Sequence, residues 1–148
     1  MDIEQKVQVP FSEFIKATAA KAGLNIRELN PNLIAIPYDM GAGRHQQVFV
    51  RAMGKTADGS IIIGFFSPAL KMPPGQMLGQ KTANDLLRAN IALAHGAWAI
   101  EKIENDDYLV VFDTQIAQTM DPEEFRASAG ALAAIADEME KRMGVDAF

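Results

Sequence analysis

The sequence predicts an α+β domain in which helices cover an antiparallel five-stranded sheet, in the order α-β-β-β-α-β-β-α. Segments with helical periodicity stand near the start, middle and end of the chain. Two groups of segments rich in β-branched and aromatic residues lie between them, and short polar or glycine-containing turns separate the strands within each group. The 148 residues contain no internal repeat and no long polar linker, so we expect one domain (1–148), structured over about 10–144.

The first half of the chain is predicted to form a helix and a three-stranded meander. Pro10 suits the first turn of the helix, and Gly23 suits a left-handed residue just after its end. The connecting segments 39–43 and 55–59 contain glycine, which permits the positive φ of a tight reversal. The three strands are predicted over 33–38, 46–53 and 60–67.

The middle helix is predicted from Thr82, which can cap it, to about Ala94, with Gly96 as its stop signal. Its apolar positions span about 200° of arc at 100° per residue, more than one packing neighbour needs. Asn90 projects from the middle of this arc, where it either fixes the register of a helix interface or reaches solvent at the edge of a packed helix. We therefore expect this helix to contribute to an interface. Its apolar residues are Leu86, Leu87, Ala89, Ile91, Leu93 and Ala94.

Two further strands, over 97–103 and 108–116, are predicted to form a hairpin around the polar reversal 104–107. In the second strand Asp113 alternates with a more apolar set of residues that includes Phe112. Because side chains alternate between the two faces of a strand, we expect Phe112 to face the core and Asp113 to face away from it.

The last helix has the clearest start signal in the sequence. Asp121 suits the N-cap, Pro122 suits the first helical position, and Glu124 completes a capping box. Gly144 follows basic residues at the expected end. The apolar residues of this helix lie mainly on one side, so it should cover one face of the sheet.

The composition excludes several kinds of chemistry. The chain has no cysteine, which excludes disulfides, thiolate metal sites, iron–sulfur ligation and cysteine nucleophiles. Its two histidines, His45 and His95, do not have the spacing of paired metal ligands, and no Gly-x-Ser-x-Gly elbow is present. We expect no metal, no cofactor and no catalytic residue.

An alternative interpretation is a small-molecule sensor or small enzyme. Its site would combine Arg51, Asp113 and His45 with the 39–44 loop, whose glycines and arginine suit an anion. The loop lacks a complete phosphate-binding motif and precedes a strand rather than a helix, which favours a hairpin turn. Asp113 is a lone strand carboxylate without a visible partner for acid–base work.

Charge and hydropathy limit the partners. The formal net charge is −5, and no stripe of Lys and Arg suited to nucleic acid is visible. No run approaches the roughly 18 apolar residues of a membrane span, and the first residues lack the pattern of a secretory signal. We therefore expect a cytoplasmic protein that binds neither nucleic acid nor membrane.

The strand 60–67 is apolar on both of its faces, so its second face needs a cover. The cover is a dimer mate, a bound peptide or the methionine-containing loop that follows the strand. Together with the middle helix, this argument gives the predicted interface or partner-binding residues. They are Phe65, Phe66, Met72, Met77, Leu86, Asn90, Ile91 and Leu93.

Three features of the chain resemble a known family. They are the order of elements, the Gly96-ended middle helix that leads into strand 97–103, and the Asp121-Pro-Glu-Glu-Phe125 start of the last helix. The family that these features resemble is the YbjN-like bacterial sensory-transduction-regulator family. The resemblance covers about residues 10–144. That family shares its fold with the class I type III secretion chaperones (the Tir-chaperone group), which hold an extended segment of an effector. The resemblance implies a small, acidic, commonly dimeric protein without catalytic residues. The slightly basic 1–80 region favours the regulator branch.

Together these inferences predict a noncatalytic homodimer that binds another polypeptide, in a chaperone-like or regulatory role.

Overall fold

The computed structural model describes residues 10–144 and 148, and these contain three helices and six strands. The elements are α1 (Phe11–Ala22), β1 (Arg27–Asn30), β2 (Leu33–Gly41), β3 (Arg44–Lys55), β4 (Ile61–Lys71), α2 (Gln80–Asn90), β5 (Ala97–Ile103), β6 (Asp106–Ile116) and α3 (Pro122–Met143).

The strands form one sheet in the order β1-β2-β3-β4-β6-β5, and every neighbouring pair is antiparallel. The predicted α+β class with an antiparallel sheet is confirmed. The predicted number of five strands is wrong, because β1 adds a sixth strand at the edge beside β2. Its four residues are all exposed and mostly polar, so no hydrophobic alternation marks them as a strand.

The last helix begins as predicted. The Glu124 backbone N–H donates to Asp121 Oδ1 at 2.7 Å, and the Asp121 backbone N–H donates to Glu124 Oε2 at 2.9 Å. This is a complete capping box with Pro122 in the first turn, and Gly144 ends the helix in a left-handed conformation. The long helix α3 is therefore held at both ends by local interactions.

The middle helix ends earlier than predicted. It ends at Asn90, and residues 91–96 form a turn before β5. Gly96 is therefore not the residue that ends the helix, although it has φ +81°. A Cβ atom at Gly96 would lie 2.7 Å from Leu132 Cδ2 and 2.9 Å from the Phe112 carbonyl oxygen. Only glycine fits there, because the turn passes directly against α3 and β6.

The hydrophobic core lies between one face of the sheet and the helices. The Phe65 ring on β4 meets the Phe125 ring on α3 edge to face, with centroids 5.4 Å apart. Leu86 is the single buried residue of α2, all of which is described. The largest buried apolar side chains of this core include Ile15, Ile34, Ile36, Val48, Val50, Ile63, Phe65, Met120, Phe125 and Leu132.

The predicted orientation of β6 is wrong. Asp113 points toward the helices, and Phe112 points to the opposite face, beside Phe66 in the register of the two strands. Ser128 Oγ on α3 donates to Asp113 Oδ2 at 3.0 Å, and the amide of Gln115 donates to Ser128 Oγ at 3.0 Å. Both faces of this strand carry apolar residues, so alternation could not identify the core face. The hydrogen bond from Ser128 on α3 allows a carboxylate to lie beside the core.

A buried ion pair ties the start of β3 to α3. Arg44 Nε donates to Asp137 Oδ1 at 2.9 Å, and the Asp137 side chain is 4% exposed. Lys141 Nζ lies 3.6 Å from the other carboxylate oxygen, one helical turn further along α3. The Asp137 carboxylate is thus compensated on both oxygens, as a buried charge requires.

The face of the sheet opposite the helices is covered largely by its own side chains. Phe49 and Phe66 stack on neighbouring strands with centroids 5.1 Å apart, and the Arg51 guanidinium lies 4.5 Å from the centre of the Phe66 ring. Arg51 also forms an ion pair with Glu101 on β5. Phe112 continues the aromatic row and is 37% exposed. The expectation that β4 is apolar on both faces is confirmed, and on the second face the side chains of Phe49 and Arg51 pack against Phe66.

Candidate functional site

Exposed apolar side chains gather on the outer side of α2 and on the edge strand β5. Leu87 is 67% exposed and Ile91, one helical turn later at the helix end, is 94% exposed. Ile100 on β5 is 54% exposed. We call these three residues the α2–β5 patch. Exposed apolar side chains in a group, unlike single ones, commonly mark a surface that another molecule covers.

An apolar groove runs between α2 and β5 beside this patch. Trp98, the single tryptophan of the chain, is almost buried and forms part of the groove wall. The groove residues are hydrophobic, so the groove offers mainly apolar contact area. They are Leu78, Ala83, Leu86, Leu87, Trp98, Ala99, Ile100 and Leu109.

The remaining exposed side of α2 is charged. Lys81 Nζ lies 2.6 Å from Asp85 Oδ2, and Arg88 lies 3.6 Å from the other oxygen of the same carboxylate. The hydrogen bond from Lys81 lowers the pKa of Asp85, and the same bond raises the pKa of Lys81. The helix thus has a buried side, an apolar exposed side and a solvated charged side.

Asn90 joins the end of α2 to the edge of the sheet. Its Oδ1 accepts a hydrogen bond from the Trp98 backbone N–H at 2.7 Å, and its Nδ2 donates to the Trp98 carbonyl at 3.3 Å. The side-chain amide therefore occupies both main-chain groups of Trp98, as a residue of a neighbouring strand would. Asn90 thus binds the main chain at the edge of β5. Neither of the two roles predicted for it, a helix interface or contact with solvent, included this one.

Replacing Asn90 by alanine should free the Trp98 main chain. We expect amide hydrogen exchange at Trp98 to accelerate by about tenfold, because losing two hydrogen bonds costs about 1–2 kcal/mol of local stability. Asn84→Ala is the matched control, since Asn84 is an exposed residue of the same helix. Equal exchange rates at Trp98 in both variants would show that Asn90 does not hold the strand.

The predicted interface residues differ in their exposure and fall into three groups. Met77 and Ile91 are exposed, while Asn90 and Leu93 are half-buried. The other four are buried within the single chain. They are Phe65, Phe66, Met72 and Leu86.

Sequence reasoning missed Ile100 as a surface residue and did not select Leu87 from the wide apolar arc of α2. Ile100 alternates with Trp98 in a strand that looks like any other in the sequence. Its exposure follows from the position of β5 at the sheet edge, which depends on the insertion of β6 between β4 and β5. A wide arc on a helix indicates an interface but does not identify the exposed part of the arc.

The residues of the alternative small-molecule site do not meet. Arg51 lies on the face opposite the helices, whereas Asp113 points toward α3. His45 is six residues before Arg51 on β3, about 20 Å away along an extended strand. Arg44 is paired with Asp137. These side chains therefore do not form one binding site.

A serine, an aspartate and a histidine do lie together between β6, α3 and the 91–96 turn. Ser128 donates to Asp113, and His95 Nδ1 lies 3.6 Å from the same carboxylate oxygen. In a hydrolase triad the histidine stands between the serine and the carboxylate so that it can take the serine proton. Here the carboxylate is in the middle and Ser128 is fully buried, so this arrangement gives no activated nucleophile.

Within residues 10–144 and 148, no group of three or more His, Asp or Glu side chains has the geometry to hold a metal ion. None of the described helices has the length and apolar character needed to cross a membrane. No protein-family model matches the chain, and no curated protein matches it.

Proposed function

We propose that the protein is a noncatalytic, cytoplasmic polypeptide-binding protein that works as a homodimer, in a chaperone-like or regulatory role. The observation that carries this proposal is the α2–β5 patch. A helix with one buried residue, two exposed large apolar side chains and an apolar groove beside it is suited to association with another protein surface.

The first partner that we propose for the α2–β5 patch is a second copy of the chain. Most homo-oligomers are dimers in which one self-complementary surface serves both copies. Leu87 and Ile91 lie on one side of α2, so a two-fold axis beside this helix would bring the two apolar surfaces together. The charged side with Lys81 and Asp85 would remain in water.

We also propose that the chain is related to the YbjN-like regulators and to the type III secretion chaperone fold. Three helices on one face of an antiparallel sheet, with α2 inserted between β4 and the β5–β6 hairpin, support this relation. The additional strand β1 enlarges the sheet at the edge far from α2. Such a relation agrees with a binding role that needs no catalytic residue.

Replacing Leu87 or Ile91 by glutamate should dissociate the dimer. A carboxylate placed in an apolar interface loses its hydration, so we expect the dimer dissociation constant to rise by about tenfold or more. Sedimentation velocity over micromolar concentrations measures this change. Thermal unfolding of the monomer should change little, because both positions are exposed in the single chain.

Leu29→Glu is the matched control, since Leu29 is also an exposed leucine but lies on β1 at the opposite edge of the sheet. This variant should remain as dimeric as the original protein. A wild-type chain that sediments as a monomer at these concentrations would refute the homodimer.

The polypeptide-binding part of the proposal has a separate test. Affinity purification from the native cell extract should yield a second polypeptide in stoichiometric amount, and synthetic peptides from that polypeptide should bind the purified protein. The absence of any stoichiometric polypeptide would contradict this part and leave the homodimer standing.

A further inference from the structure

The ends of α2 have few local interactions that would stabilise a helix. Gly79 precedes the helix and supplies no side-chain hydrogen bond to its first N–H groups, and the first turn contains no acidic residue. The residue after the helix is Ile91 in a right-handed conformation, whereas α3 has a capping box and ends at a left-handed Gly144. A helix of 11 residues is marginal in water by itself, so α2 depends on its contacts with the rest of the chain.

The contacts that hold α2 on the sheet are few. Leu86 is the single buried residue of the helix, whereas α3 has eight. At the end of α2, the side chain of Asn90 binds the main chain of Trp98. Leu78 and Leu93, on the two sides of the helix in sequence, are half-buried and pack against the core. Breaking this small set of contacts should require much less free energy than unfolding the sheet.

The segment that contains α2 lies between two residues that are fixed to the rest of the fold. Met72 is buried, and its backbone N–H donates to the Asp107 carbonyl oxygen at 2.9 Å. Gly96 lies directly against α3 and β6, where a Cβ atom would not fit. Between these two residues, Leu86 is the single buried position, and all others are exposed or half-buried. We call residues 73–95 the α2 unit.

We propose that the α2 unit opens as a whole, leaving the sheet between the fixed residues Met72 and Gly96 while the sheet, α1 and α3 stay folded. This inference goes beyond the proposed homodimer, because it concerns contacts inside one chain. Cooperative units of this kind open in native proteins with free energies below that of global unfolding. Once undocked, the short helix would also lose its helical structure, so its main-chain amides would exchange with water together.

Opening of the α2 unit would change the surface of the protein. The groove between α2 and β5 lies on one side of the helix, and a second groove, lined in part by Leu93, Ile135 and Met139, lies between α2 and α3. Trp98 lines both grooves. Without α2 between them, the two grooves would join into one apolar trough with Trp98, which is 8% exposed in the closed state, at its centre. The position of α2 therefore decides whether this apolar surface meets water.

Native-state amide hydrogen exchange tests the opening. We expect the amides of α2 to form one group with similar protection, below that of the amides of β4 and α3. The Trp98 amide should exchange with this group, because its acceptor is the Asn90 side chain, whereas the Met72 amide should exchange more slowly. Urea below the unfolding transition should accelerate the α2 group only slightly and the core amides strongly, since the opening exposes little surface.

Two substitutions separate the opening of α2 from global unfolding. Ile34 is fully buried on β2, which three strands separate from β5, so it stays in place when α2 opens. Ile34→Ala should therefore accelerate exchange of the core amides by about tenfold or more and leave the α2 amides unchanged. Leu86→Ala should accelerate the α2 amides by about tenfold or more, because Leu86 leaves the core in the open state. Leu29→Ala, at an exposed leucine of β1, is the matched control and should leave the α2 amides unchanged.

The outcomes decide between opening as a unit and two other behaviours. A group of α2 amides that Leu86→Ala accelerates and Ile34→Ala leaves unchanged supports the opening. If the α2 amides are as protected as the core, or if Ile34→Ala accelerates both equally, α2 leaves the sheet only in global unfolding and the proposal is overturned. Rates that differ widely from one α2 amide to the next would show fraying, which also overturns it. The homodimer is tested separately, by sedimentation.

Discussion

Replacing Phe65 by alanine should lower the free energy of unfolding by about 3–5 kcal/mol. The Phe65 side chain is 1% exposed, and its ring packs edge to face against Phe125 of α3. The substitution removes buried apolar area and the aromatic contact between β4 and α3, and it leaves a cavity that the sheet and helix cannot close. Urea unfolding followed by far-ultraviolet circular dichroism measures the change.

Phe112→Ala is the matched control for this experiment. It makes the same chemical change on the same sheet, but Phe112 is 37% exposed and lies on the face away from the helices. We expect it to cost about 1–2 kcal/mol, because part of its surface is already in water. Equal losses in the two variants would mean that the helix-covered face is not the principal core.

Arg44→Met should destabilise the fold by about 2–4 kcal/mol, since it leaves the buried Asp137 carboxylate without its closest cation. Lys141 lies 3.6 Å from the other oxygen of Asp137 and compensates only part of the charge. The loss should appear as a lower urea midpoint with an unchanged slope, because the fold itself remains the same.

A second substitution should recover much of this loss. In the double variant Arg44→Met, Asp137→Leu, the Asp137 carboxylate is also removed, and an apolar pair of similar size takes the place of the ion pair. Lys81→Met, which breaks the fully exposed pair with Asp85, is the control and should change stability little. If Arg44→Met were as mild as Lys81→Met, the pair with Asp137 would not help hold β3 against α3.

The parts of the fold that could be predicted from the sequence are those with local signals. The α3 start depends on Asp121, Pro122 and Glu124, which lie next to one another, and its capping box forms as predicted. The hairpin of β5 and β6 likewise follows from a polar reversal between two strands of strong β propensity. Interactions within a few residues are sufficient for both.

The parts that were wrong depend on distant contacts. The strand β1 has no apolar alternation and forms because β2 offers it an unpaired edge. Asp113 faces the helices because Ser128, fifteen residues later in the chain, donates a hydrogen bond to it. A sequence pattern contains neither the neighbouring strand nor the hydrogen-bond donor.

The candidate site also contains features that local sequence signals predict and features that depend on distant contacts. The wide apolar arc of the middle helix correctly pointed to exposed apolar surface on α2, including Ile91. It could not show that Leu86 enters the core or that Asn90 turns toward Trp98, since both depend on how the helix is placed against β5. Ile100 was missed for the same reason.

The position of Trp98 gives the protein a built-in optical probe. Trp98 is the chain's single indole, it lines the grooves on both sides of α2, and its backbone is held by Asn90. Its emission therefore originates from one place, where the middle helix, the sheet edge and the proposed contact meet. Emission wavelength and quenching by iodide can follow movement of α2 or arrival of a partner without any label, at nanomolar to micromolar concentrations where sedimentation is difficult.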